Sequence, residues 1–149
     1  MNPQNGYDVE DLTVGMSAEI GKTITEADIV LFAGVSTDVN AVHLNEEYGK
    51  TTMFGGRIAH GMLSASLLSA VLGNRLPGPG TIYLAQSLRF RAPVRAGETV
   101  TAKVTIKEVL VDKSRVVLDT ICSVGDKVVI DGEATMMATS RKKREAAGT

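Results

Sequence analysis

From residue 81 onward the chain alternates. In "ETVTAKVTIKEVL" the apolar residues Val100, Ala102, Val104 and Ile106 take every second position, and "TIYLAQSLRFRAPV", "SRVVLDTICSV" and "KVVIDGEATMMAT" keep the same period. Period-two alternation predicts strands with one face buried, and "GDK" between the last two segments predicts a hairpin. Upstream the pattern is different. Within "AHGMLSASLLSAVLGNRLPGPG" the run from Met62 to Leu72 carries no charge, which predicts a helix buried almost all round. Its small residues Ala65, Ser66, Ser69 and Ala70 permit close packing on a sheet, and Gly73 with "PGPG" supplies the stop. Thr25, with Asp28 three residues later, predicts an N-cap leading into the short apolar helix "EADIVLFAGVS", and "MSAEIGKTI" reads as an early strand. "HLNEEYGK" and "TTMFGGRIAHG" read as an extended loop.

Strand, short helix, loop, buried helix and four successive strands make an α+β fold, an antiparallel sheet wrapped on one central helix. At 149 residues the chain is the size of one domain and long enough to bury a core. The expected core runs from about residue 14 to 138. Residues 139–149, with Arg141, Lys142, Lys143 and Arg144 clustered, read as a solvated flexible tail. Sixteen basic against seventeen acidic residues give a net charge of -1, which is not the footprint of a nucleic-acid binder. Cys122 is the only cysteine and forms no intrachain disulfide; with two histidines it makes a poor zinc set. No apolar stretch has the length of a membrane span, and the N-terminus lacks an apolar signal core. A soluble, cytoplasmic, metal-free protein is expected.

Candidate chemistry sits in "STDVNAVHLN", which places Asp38, Asn40 and His43 within six positions. Five helical steps separate Asp38 from His43 by about 140° around the axis, and five strand steps put them on opposite faces. Only an irregular turn aims both at one point. Asp and Asn also favour turns for purely local reasons, so the spacing alone is compatible with a plain turn.

"DVNAVH", then "AHGMLSAS" seventeen residues after His43, then "SLRFRAPVRAGETV" together resemble the MaoC-like (R)-specific enoyl-CoA hydratases of the hot-dog superfamily. The resemblance spans about Val14 to Ala138. The family's loop reads Asp, any residue, Asn, Pro, aliphatic, His, usually after Gly; here Thr37 stands for that glycine, Ala41 for the proline, and Gly49 for a downstream Ala or Ser. The resemblance implies that Asp38 and His43 flank a water. Asp38 is then the principal base, returning the proton to C2 of a trans-2-enoyl-CoA as hydroxide adds at C3. It also implies that Asn40 positions the loop, that the Gly61 N–H at the start of the buried helix stabilises the enolate-like oxygen, and that Ser69 is a site serine. His60 reads as a structural linker. Gln86 and Arg89 read as solvated strand positions, while Arg89, Arg91 or Arg95 could meet CoA phosphates. Met62, Leu63, Leu67 and Leu72 are pocket walls or core.

No cofactor is expected, CoA entering only as part of the acyl-CoA thioester substrate, and no nucleotide-binding fingerprint is present. The resemblance and the exposed edge of a single hot-dog sheet imply a homodimer serving fatty-acid metabolism or polyhydroxyalkanoate supply. Three alternatives stay open: a dehydratase on acyl carrier protein, a hot-dog thioesterase, and a catalytically silent acyl-binding subunit.

Overall fold

Alternation along the strands is what closes the core. The computed structural model describes residues 1–148. Its five strands are β1 (Ser17–Thr23), β2 (Ile82–Phe90), β3 (Thr99–Leu110), β4 (Arg115–Val124) and β5 (Lys127–Met137). They form one sheet in the order β1-β3-β4-β5-β2, every neighbouring pair antiparallel. On β3, Val100, Ala102, Val104 and Ile106 all point into the core, and Val116, Leu118 and Cys122 do the same on β4. They meet the helix numbered α4 here (Gly61–Asn74), which packs against all five strands and buries Leu68, Val71 and Leu72 completely. This is the expected hot-dog arrangement. Gly125, at φ 57°, turns the β4–β5 hairpin at "GDK", a left-handed position that suits glycine.

The first helix, α1 (Glu26–Ser36), starts with a complete capping box: the Thr25 hydroxyl accepts from the Asp28 N–H at 3.1 Å, and the Asp28 carboxylate accepts from the Thr25 N–H at 2.9 Å.

Five expectations need correcting. The segment read as extended loop contains two short helices, α2 (Ala41–Leu44) and α3 (Glu46–Lys50). Each starts on an asparagine whose side chain accepts a backbone N–H, Asn40 from Val42 and Asn45 from Tyr48. Gly73 lies inside α4; the helix stops where the N–H groups of Arg75 and Leu76 both turn back to the Val71 carbonyl and Gly78, at φ 85°, reaches the Leu72 carbonyl. Nor is α4 buried all round, because Met62, Ser66 and Ser69 form an exposed stripe along it.

The basic tail is likewise a helix, α5 (Arg141–Ala146), tied to the N-terminus. Arg144 makes a bidentate pair with the fully buried Asp8 at 2.7 and 2.8 Å, Arg141 pairs with Asp11, and the Ser140 hydroxyl donates to Glu10. Reading the basic run as solvated overlooks these carboxylates at the other end of the chain. The core accordingly begins before residue 14, with Val9 and Leu12 buried. Among the described residues no helix is long and apolar enough to cross a membrane.

Candidate active site

Thr37 ends α1 in the left-handed region, at φ 64°. That reversal swings Asp38 out of the helix and starts the irregular segment that the spacing of Asp38 and His43 demands. The Asp38 carboxylate is held by the Asn40 N–H at 3.2 Å, while the Asn40 side chain caps α2, on which His43 rides. Asn40 therefore links the two segments. Its hydrogen bonds fix both the aspartate and the helix carrying the histidine.

His43 is nearly buried, and its Nδ1 lies 2.8 Å from the Ile58 carbonyl. A carbonyl only accepts, so Nδ1 carries the proton and Nε2 is left as a bare acceptor in the neutral ring. That Nε2 stands 3.8 Å from Asp38 Oδ2. Two acceptors at this separation make no direct hydrogen bond; they suit a molecule with two O–H donors held between them. Asp38 is half exposed, so water reaches the pair.

Behind the pair lies His60. Its Nε2–H donates to the Asp38 carbonyl at 2.9 Å, and its ring stacks on His43 with centroids 3.9 Å apart and 28° between planes. Asp38, His43 and His60 each bring one atom of metal-ligating type within 4.8 Å of the others. The imidazoles lie face to face, however, so their in-plane lone pairs run alongside each other instead of converging on one point. The arrangement suits proton handling better than a metal.

Gly61, the first residue of α4, follows His60 directly. The N–H groups of a first helical turn lack intrahelical partners, and the dipole makes that end positive. A Cβ at Gly61 would lie 2.6 Å from the Phe90 ring, so glycine is needed for Phe90 to lie over the helix start. Gly61 and Phe90 help line a mostly apolar cavity of about 360 Å³ with Met53, Phe54, Ser64 and Pro93. Asp38 and His43 lie outside its wall, whereas His60 and Gly61 form part of it.

Other candidates are placed elsewhere. Ser69 is exposed and lines a separate groove with Phe32, Met62, Ser66, Tyr83 and Gln86, not the wall beside Gly61. Gln86 is no solvated strand position: its amide donates to Thr120 Oγ1 at 2.9 Å and the Ser87 carbonyl at 2.8 Å, and the Tyr83 hydroxyl donates to its Oε1. A register shift between Tyr83 and Ala85 re-aims this stretch, which simple alternation does not anticipate. Arg91 forms a double hydrogen bond with Asp131, and Arg95 holds the Phe54 and Arg57 carbonyls. Arg89 is exposed. Leu63, Leu67 and Leu72 are buried in the core, whereas Met62 is exposed. Sequence reasoning missed Phe90, whose contact with Gly61 exists only in the folded chain.

The MaoC-like domain matches residues 12–133. The chain belongs to the MaoC-like family. It is similar to an (R)-specific enoyl-CoA hydratase of Rhodospirillum rubrum, 58% identical over 132 residues, covering 89% of this chain and 92% of that protein. A 3-hydroxybutyryl-CoA dehydratase of Methylorubrum extorquens is 50% identical over 137 residues, covering 92% of this chain and 86% of the relative. Among solved structures, an unliganded (R)-hydratase from Pseudomonas aeruginosa superposes with a TM-score of 0.86 at 46% identity, covering 91% of this chain and 88% of that one.

The three departures from the family's loop now have positions. Thr37 takes the left-handed conformation that glycine adopts freely. Ala41 is the first residue of α2, where proline is well tolerated. Gly49 packs on backbone, since a Cβ there would meet the Gly56 carbonyl carbon at 2.5 Å.

Proposed function

We propose that the chain is an (R)-specific enoyl-CoA hydratase, adding water reversibly to trans-2-enoyl-CoA to give (R)-3-hydroxyacyl-CoA. One observation carries this reading: Asp38 Oδ2 and His43 Nε2, both acceptors, face each other at 3.8 Å beside the N-terminus of α4. The thioester oxygen accepts from the Gly61 N–H, which draws charge from C3. A water bound between Asp38 and His43 then loses one proton to the pair while its oxygen bonds to C3. The C2–C3 π electrons move onto the thioester as an enolate. Collapse of the enolate takes a proton at C2, returned by Asp38, so both hydrogens and the oxygen of one water are accounted for. No redox step arises, and no cofactor is required.

Incubation with crotonyl-CoA tests this. Loss of the conjugated enoyl absorbance with an (R)-3-hydroxybutyryl-CoA product and no free CoA is expected. Release of free thiol would make the protein a thioesterase, and an (S) product would overturn the assignment. The same assay with an acyl carrier protein thioester decides between the two carriers.

The functional unit in this reading is a homodimer. β2 is a sheet edge with Ile82, Leu84 and Phe90 exposed, beside the uncovered stripe of α4; pairing these faces with a second copy satisfies the edge and covers apolar surface. Light scattering should give twice the 15.8 kDa of one chain, and a fully active monomer would refute it.

A further inference from the structure

We propose that His60 is a positioning residue of the hydration reaction, setting the Asp38–His43 pair and leaving the α4 N-terminus open for the thioester oxygen. The inference rests on the hydratase reading above. His60 occupies the N-cap position of α4, but its side chain makes no capping hydrogen bond. Residues chosen by helix N-termini have short polar side chains that take up the free N–H groups at N2 and N3. Here the imidazole turns away. Its Nε2–H is spent on the Asp38 carbonyl, 22 residues upstream; the Leu63 N–H turns back to the His60 carbonyl at 3.1 Å, and no side chain of the N-cap covers the Gly61 N–H.

The same ring carries two further contacts. One face lies on His43 at 3.9 Å, and Phe32 of α1 sits tilted against it at 5.0 Å. His60 itself is 2% exposed and its Nδ1 meets no donor. A histidine serving merely as a linker has both ring nitrogens to offer, yet burial here leaves one unpaired, a cost a protein keeps only where the position demands that ring. What the ring uniquely supplies is an N–H at the reach of Nε2 together with a flat face for His43. Asp38 is held through its backbone and His43 through its ring plane, so His60 adds to Asn40 and the Ile58 carbonyl in setting the 3.8 Å gap between their reacting atoms. Gly61, the oxyanion donor, is its chain neighbour. His60 thus ties together the base, its partner and the donor without touching the reacting atoms.

Two amide variants separate this role from simple structural support. A glutamine amide reaches as far as Nε2, so His60→Gln keeps the donor to Asp38; an asparagine amide falls short and is instead a favoured N-cap. His60→Asn should therefore retain or raise Tm while kcat falls at least about tenfold and KM changes less than about threefold, the signature of a group acting on the transition state. His60→Gln should recover most of that loss in kcat. Equal kcat for the two variants, or a fall in Tm with wild-type kcat, would refute the proposal. A third variant, His60→Phe, keeps the stacking face without the donor and should follow His60→Asn in kcat. If wild-type protein fails to hydrate crotonyl-CoA at all, the hydratase reading fails instead, which this comparison reveals before any variant is made.

Discussion

A threonine at φ 64° is uncommon, because a β-branched side chain crowds the backbone in the left-handed region. Thr37 stands where the loop must leave α1 and present Asp38, so its strain is local to the site. Replacing it by glycine removes roughly 1–2 kcal/mol of steric cost and adds back about 0.5–1 kcal/mol of unfolded-state entropy. Thr37→Gly should be slightly stabilising in urea denaturation, with turnover retained. Ala41→Pro belongs beside it. The position is the first of α2, and Asn40 before it has φ -54° and ψ 131°, compatible with a following proline. A stabilisation of about 0.4–1 kcal/mol is expected from the stiffer unfolded chain. Gly49 behaves oppositely: the Cβ of an alanine there would press on the backbone of Gly56 and Arg57. Gly49→Ala should cost about 1–3 kcal/mol, and a neutral result would mean that α3 can shift away from that segment.

At the scale of elements, the strands and α1 were legible because their signals are local: alternation spans each strand, and the Thr25–Asp28 box closes within one turn. α2 and α3, of four and five residues, are too short to show a period. Only single capping asparagines mark them. The pairing of Asp38 with His43 was legible as a need for irregular backbone and His60 as a hydrogen-bonding linker, but the stacking of the His60 ring on His43 belongs to tertiary packing and has no local trace. The exposed stripe of α4 was hidden for a different reason: Ser and Met are common in buried and exposed helix faces alike. α4 also carries the element-scale test of the oxyanion donor. Gly61→Ala places a methyl group 2.6 Å from the ring carbons of Phe90, and because Phe90 is 54% exposed its ring can swing aside without unfolding the chain. Turnover should fall by one to three powers of ten, up to about 4 kcal/mol in the transition state, through crowding of the donor. Gly61→Ala combined with Phe90→Ala should recover part of the loss if crowding by the ring is the cause; no recovery would place the damage in the N–H geometry itself.

Across the whole molecule, the two ends of the chain hold each other through carboxylates that sequence patterning reads as ordinary surface charge. The Arg144 guanidinium, helped by the Thr139 hydroxyl, holds the Asp8 carboxyl down at about 2 despite the opposing effect of burial. For Glu10, burial raises the pKa, yet the Ser140 hydroxyl and the N–H groups of Arg141 and Lys142 together lower it to about 2. In the unfolded chain both return to the usual carboxylate range near 4. A carboxylate with a depressed folded pKa binds fewer protons folded than unfolded, so its contribution to stability is complete above pH 4 to 5 and is lost as pH falls towards 2. Acid should therefore loosen the clasp between the N-terminus and α5 over that window, while stability above pH 5 is insensitive to these two groups. Asp8→Asn removes the charge that Arg144 needs while keeping the shape. It should lower Tm at pH 7, and it should also flatten the drop in Tm between pH 5 and 2 relative to wild type. Thermal unfolding followed by circular dichroism at a series of pH values measures both effects. A variant that tracks wild type through the acid range, displaced by a constant amount, would show that Asp8 does not carry the pH dependence and would leave Glu10 and Asp11, bonded to Ser140 and Arg141, as its source.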